Sequence, residues 1–192
     1  MATASNPLSE LLAEKGVLLA DGATGTNLFA MGLEAGEAPE LWNESQPEKI
    51  TKLHQDFVDA GADIILTNSF GGTRHRLKLH HAEDRVFALN KKAAEIARAV
   101  ADKAPRKVIV GGSVGPTGEL LQPLGAMTYD EAVAAFAEQM EGLKAGGADV
   151  APSLSKDRLP GPVTEEESQA KSPAKPEAKD APSIYQKNEA AR

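Results

Sequence analysis

The strongest constraint on this chain is a short internal repeat. Ala60-Gly61-Ala62-Asp63-Ile64 and Gly146-Gly147-Ala148-Asp149-Val150 each follow a helical stretch, turn on glycine and open an apolar run. A unit that alternates strand and helix in this way crosses over right-handedly and lays its strands side by side in a parallel sheet. The short runs Val17–Ala20, Asp63–Thr67 and Lys107–Gly111 read as buried strands of such a sheet.

The helices between them are legible from period and caps. Ser45 and Glu48 have the spacing of a capping box for a helix carrying Ile50, Leu53, Phe57 and Ala60, ended by Gly61. Val86, Leu89, Ala93, Ile96, Ala97 and Val100 make one continuous apolar face, with Pro105 just past its end. Thr128 and Glu131 cap a third helix, with Val133, Phe136, Met140 and Leu143 as its expected buried stripe.

The second copy of the repeat stops early. Val150 is followed by Ala151-Pro152-Ser153, and proline is poorly tolerated inside a central strand. Beyond it, residues 151–192 hold six of the twelve prolines and balance seven Lys+Arg against seven Asp+Glu. Leu154, Leu159, Val163, Ile184 and Tyr185 are too few large apolar residues to offset the entropy of ordering that stretch. The expected organisation is an α/β domain over 1–150 and a polar, Pro-rich, disordered C-terminal tail over 151–192. At 192 residues, the chain falls short of the roughly 250 of a complete (β/α)8 TIM barrel.

Charge and composition remove several functions. With 21 Lys+Arg against 28 Asp+Glu, the net charge is −7, which argues against nucleic acid or an anionic membrane as partner. The chain contains no cysteine, so it has neither a thiolate nucleophile nor a cysteine-ligated metal of its own. His54, His75, His80 and His81 do not make a persuasive zinc set, because one sits beside an apolar stripe and the rest crowd a basic loop. The first ten residues lack a basic start and a long apolar stretch, so a cytoplasmic protein is expected.

In a parallel α/β sheet the chemistry gathers where strands end and helices begin. The segments to read are Asp21–Asn27, Asn68–Thr73 and Gly112–Gly118, all glycine-rich and none matching a nucleotide-binding fingerprint. Asp21 ends the first strand at the mouth of the sheet, where a carboxylate suits a cationic group or caps the following turn. Gly22 to Gln46 makes a connection of about 25 residues, longer than the roughly 12–15 at which unstructured loops become uncommon. The only tryptophan, Trp42, lies in it, as core filling or as an aromatic platform for a methylated cation.

Leu19-Ala20-Asp21-Gly22-Ala23-Thr24-Gly25-Thr26, Leu41-Trp42-Asn43, the run from Gly61 through Thr67-Asn68-Ser69-Phe70-Gly71, and Gly111-Gly112-Ser113-Val114-Gly115-Pro116 together resemble the homocysteine S-methyltransferase family, with the bacterial betaine–homocysteine type nearest in character. The resemblance covers about residues 12–150. It implies the N-terminal part of a (β/α)8 barrel, homocysteine and a methyl donor as substrates, and a zinc ion held by three cysteines from later strands. By position, Asp21 would bind the substrate amine, Gly22 would admit substrate to the backbone, Trp42 would face a betaine-like donor, and Phe70 falls in the second-strand motif. Gly71 stands where betaine-type members carry a tyrosine, which leaves the donor open among betaine, methylfolate and a sulfonium.

The cysteine motifs have no counterpart here, and neither does the glutamate that follows the fourth strand. The resulting expectation is a truncated, catalytically incomplete methyltransferase, its pattern broken more readily by a disrupted reading frame than by selection for half a barrel. The alternative is a non-catalytic half-barrel that associates with a partner or a second copy through its open edge.

Overall fold

The computed structural model describes residues 6–150, so the expectation of a disordered tail lies outside the described residues. Within them the sheet is parallel and runs in chain order. Strand β1 (Ile64–Leu66) pairs with β2 (Ile109–Gly111) in the register Ile64 to Ile109 and Leu66 to Gly111. A parallel bridge from Ala20 to Ile64 adds the first strand position on one side, and another from Gly111 to Val150 adds the fourth on the other. The order never reverses, as it would at the switch point of a doubly wound sheet.

The first strand is shorter than expected. Val17–Ala20 is reduced to the bridge at Ala20, and Val17 and Leu19 are 80 % and 57 % exposed rather than buried. A parallel strand of this kind is buried only when neighbours cover both its edges and both its faces, and among the described residues this one has a neighbour on one side.

The helices carry the core. Helix α1 (Pro7–Lys15) opens with Asn6 accepting from the Ser9 amide and ends at Gly16. Helices α2 (Thr24–Ala30) and α3 (Trp42–Ser45), with a 3-10 turn over Pro39–Leu41, occupy the connection that was expected to be an open loop. Helix α4 (Pro47–Asp59) begins with proline in its first turn and has no side-chain cap. The expected Ser45–Glu48 box does not form, because Ser45 belongs to α3 and its hydroxyl donates back to the Leu41 carbonyl. Helix α5 (Arg74–Lys78) is a single short turn, and α6 (Val86–Ala101) buries all six residues of its expected face. Ile65 and Val110 of the sheet meet Val58, Ala97, Val100 and Val108 in one apolar cluster.

Helix α7 (Tyr129–Ala145) forms with the expected capping box of Thr128 and Glu131 but buries a different face. Ala132, Ala135, Gln139, Gly142 and Leu143 are buried, whereas Val133, Phe136 and Met140 are only half-buried. Small residues win because α7 lies very close to α6. A Cβ built on Gly142 would sit 2.7 Å from the Phe87 carbonyl, and one on Gly146 would meet the Lys91 carbonyl and lie 2.7 Å from Ala94 Cβ.

The aspartate of each repeat ties its unit to the preceding strand. Asp63 accepts from the Leu19 amide at 3.0 Å and from Lys15 at 2.6 Å; Asp149 accepts from the Val110 amide at 2.8 Å and from Arg98 at 2.7 Å. Charge-assisted bonds of this sort contribute about 1.5–3 kcal/mol each, so the repeated residue fixes strand register as well as the turn.

Candidate functional site

The loops at the carboxyl ends of the strands are locked to one another by polar side chains. Thr67 Oγ1 lies 2.6 Å from Ser69 Oγ, the Ser69 hydroxyl donates to the Ser113 carbonyl at 2.8 Å, and the Ser113 amide donates to Thr67 Oγ1 at 2.9 Å. Behind them stands a buried set of amides. Asn43 donates to the Asn68 carbonyl, Asn68 to the Pro39 carbonyl, Asn90 to the Gly72 carbonyl, and Gln139 to Ser69 O at 2.6 Å and Asn90 Oδ1 at 3.1 Å. Helices α3, α6 and α7 thereby hold the Asn68–Thr73 loop, because buried backbone carbonyls must be paired. The composition signal for this network was weak; only Asn90, a polar residue set within the apolar face of α6, interrupts a pattern.

These loops enclose a cavity of about 390 Å3, lined by Thr24, Gly25, Asn68, Phe70, Gly71 and Ser113 from the three glycine-rich segments, by Thr67 just after β1, and by Glu37, Glu40, Arg76 and His80 from the connections. Phe70 is 62 % exposed. Glu40, which sequence reasoning did not single out, is buried and accepts from the Gly71 amide at 2.6 Å. A Cβ on Gly71 would come within 2.9 Å of that carboxylate, so Glu40 occupies the space that a side chain at position 71 would need.

Asp21 follows the first strand position and is not among the residues that line the cavity. Its Oδ2 accepts from the Leu66 amide at 2.9 Å, and Leu66 lines the cavity. Its Oδ1 is buried without a hydrogen-bond partner, and burial pushes its pKa up from 3.8 to about 6 against the smaller opposing pull of the Leu66 amide. Gly22 follows with nothing of the chain within 4 Å of the position its Cβ would occupy, and Ala23 takes a left-handed φ of 51° to start α2. Of Asp21, Gly22 and Phe70, only Phe70 lines the cavity.

Trp42 does not line it either. It is 3 % exposed on α3, packed with Leu28, Leu33, Ile50, Leu53 and Ile96, and Lys49 Nζ lies 4.3 Å from its ring centroid. One face of the ring is thus covered by a side chain of the protein. His54, on α4, is 1 % exposed with both ring nitrogens unpartnered.

A sequence profile of the family described as homocysteine S-methyltransferase matches residues 18–152. The chain belongs to that family. It is 36 % identical over 151 residues to the methionine synthase of Mycobacterium tuberculosis and 34 % identical over the same length to that of Mycobacterium leprae. Those matches cover 74 % of this chain but 12 % of each relative. The homocysteine methyltransferase MmuM from Escherichia coli superposes in its oxidized form with a TM-score of 0.64 at 30 % identity, over 77 % of this chain and 56 % of that one. Its metallated form aligns equally well, with a TM-score of 0.64 at 29 % identity. The chain therefore spans about half the length of the solved relatives it matches.

The zinc that the resemblance implies does not fit the residues present. The chain has no cysteine, and among the described residues there is no group of three His, Asp or Glu side chains able to hold a metal. Nor is any described helix long and apolar enough to cross a membrane.

Proposed function

We propose that this chain forms the amino-acid-binding portion of a homocysteine S-methyltransferase site and lacks the groups needed for turnover by itself. The observation that carries the reading is Asp21: one carboxylate oxygen is buried without a partner, and the other accepts from the amide of Leu66, which lines the cavity. An unpaired buried acceptor is costly, and a ligand ammonium would satisfy it. In this reading Asp21 binds the amine of homocysteine, Gly22 leaves room for the backbone to approach it, and Phe70 walls the cavity where the methyl donor arrives. The family's zinc has no ligands here, so thiol activation is not among the tasks of these residues.

Calorimetric titration of homocysteine into the full chain tests this, with an Asp21→Asn variant alongside. Binding that weakens at least tenfold in the variant is expected. Equal binding by both removes Asp21 from the site, and zinc-dependent methylation by the pure chain overturns the claim of incompleteness.

A second reading is favoured by one observation, the exposure of Val17 and Leu19 at the edge of the sheet. In it the half-barrel is completed by association with a partner chain or a second copy. Size-exclusion chromatography with light scattering separates the two, since a cooperative, concentration-independent monomer excludes obligate completion.

A further inference from the structure

Gly111 marks which way the inner face of the sheet points. A Cβ built on it would stand 2.9 Å from Leu66 Cδ2 and 3.6 Å from Ile64 Cγ2, so these three positions share one face. Ile65 and Val110, the central residues of β1 and β2, turn the other way into the cluster with Val58, Ala97 and Val100 of α4 and α6. Parallel partners in register point to the same side. Ala20, across from Ile64, and Val150, across from Gly111, therefore belong to the face opposite the helices.

That face is apolar and open. Strands of a parallel sheet are buried on both sides, yet Ile64, Leu66 and Val150 are only half-buried and Ala20 is exposed, although β1 has a strand position on either hand. Ile109 of the same face is buried, at the amino ends of the strands, where Lys15 and Glu10 of α1 reach Asp63 and Lys107. The sheet is also open at both edges: among the described residues Ala20 pairs only toward Ile64, and Val150 only toward Gly111.

The packing of a closed barrel decides what fits there. Its interior is filled in layers, each of four side chains drawn from alternate strands. The four strand positions of the described residues supply two of the four to each layer, the first and third to one, the second and fourth to the other. Four is an even number, so a second set of the same strands, turned half a turn about the barrel axis, keeps odd with odd and even with even. Its inward side chains complete the same layers. Its first strand falls beside Val150 and its fourth beside Ala20, and both contacts are parallel, as the strand contacts within the sheet already are.

We propose that this face and both edges are closed by a second copy of the chain, giving a two-fold barrel of eight strands. The two edges are different surfaces, so the contact is head-to-tail, and a ring of two uses every edge and leaves none for further growth. The inference rests on the half-barrel reading given above and names its partner. Both copies then present Asp21 and the glycine-rich loops at the same mouth, because both sets of strands run the same way.

The chain has no cysteine, so an introduced cysteine reports one edge alone. Leu19→Cys marks the first edge, where the side chain is 57 % exposed, and Val150→Cys marks the fourth strand position. Light scattering gives the mass of wild type and variants at micromolar concentration, and a bismaleimide then crosslinks the two single variants and the double variant. Expected are twice the chain mass for all of them, a crosslinked dimer from the double variant on a denaturing gel, and crosslinking at least tenfold weaker in either single variant. A wild type with the mass of one chain overturns the proposal whatever the variants do. So does an efficiently crosslinked single variant, in which an edge meets its own copy, a ladder of trimers and larger species, or a dimer that the double variant fails to crosslink. If Leu19→Cys loses the wild-type mass, Val17→Cys, at an 80 % exposed position beside the same edge, takes its place. None of these readouts involves a ligand. Loss of homocysteine binding in Asp21→Asn leaves them unmoved, and a monomer that binds homocysteine overturns the closure alone.

Discussion

Asp63 and Asp149 hold equivalent places in successive units: each accepts a backbone amide of the preceding strand, from Leu19 and Val110, and each pairs with a cation, Lys15 and Arg98. For Asp63, the Lys15 ammonium and then the Leu19 amide hold the carboxyl below the usual carboxylate range. Replacing either aspartate with alanine leaves a strand amide without its acceptor. Loss of about 2–3 kcal/mol is expected for each by urea unfolding, and for Asp63→Ala the loss shrinks as pH falls below 3.8, where the wild-type carboxyl too becomes protonated. A pH-independent difference would show that the charge of Asp63 contributes nothing.

Much of this arrangement was legible in the residues, and the parts that were not have physical reasons. The face of α6 could be read because its apolar side chains are large and regularly spaced. The buried face of α7 could not, since Ala132, Ala135 and Gly142 are too small to register as a hydrophobic stripe and are buried by closeness to α6 instead. Helices α2 and α3 were missed because seven and four residues hold too little period to see. At the site, Asp21 announced itself by ending an apolar run before glycine. Glu40 carries no such mark; its place at the site comes from accepting the Gly71 amide, and only the folded chain shows that.

The close approach of α6 and α7 makes a specific packing prediction. Gly146 has φ −84°, which any residue adopts, so Gly146→Ala adds a methyl group without backbone strain. That methyl has no space between the Lys91 carbonyl and Ala94. The helices must part, and a cost of about 1–3 kcal/mol is expected from overpacking. Gly25→Ala is the control, because nothing of the chain lies within 4 Å of its Cβ position. Thermal unfolding midpoints that fall equally for both would refute the close-packing argument.

His54 predicts an acid sensitivity. Burial pushes its pKa down from 6.5 to about 4, with no partner to stabilise the charged ring. In the unfolded chain it takes up a proton near pH 6.5; in the folded chain it resists until about 4. The unfolded state therefore binds more protons across that window, and stability falls as pH drops through it, by as much as about 3 kcal/mol in full. Above pH 6.5 the effect is absent. His54→Leu should flatten the dependence between pH 6.5 and 4, measured as the difference in urea midpoint from wild type; parallel curves would mean that the ring is not buried neutral.

Asp21 titrates in the opposite sense and links stability to binding. Its pKa is raised from 3.8 to about 6, so between those values the folded chain keeps a proton that the unfolded chain has released. The favourable contribution present below pH 3.8 is lost as pH rises to about 6, and above that the folded state carries a buried, unpaired charge. Asp21→Asn should accordingly be more stable relative to wild type at pH 8 than at pH 4. The same charge is what an ammonium ligand answers. Homocysteine affinity of the wild type should rise as pH increases through about 6, while the thiol and the amine keep their protonation, and the Asn variant should show no such rise. Titration calorimetry at pH 5 and pH 7.5 reads both proteins. An affinity that is flat with pH in the wild type would mean that the amine is held by some other group, and the stability difference would then stand as a property of the empty site alone.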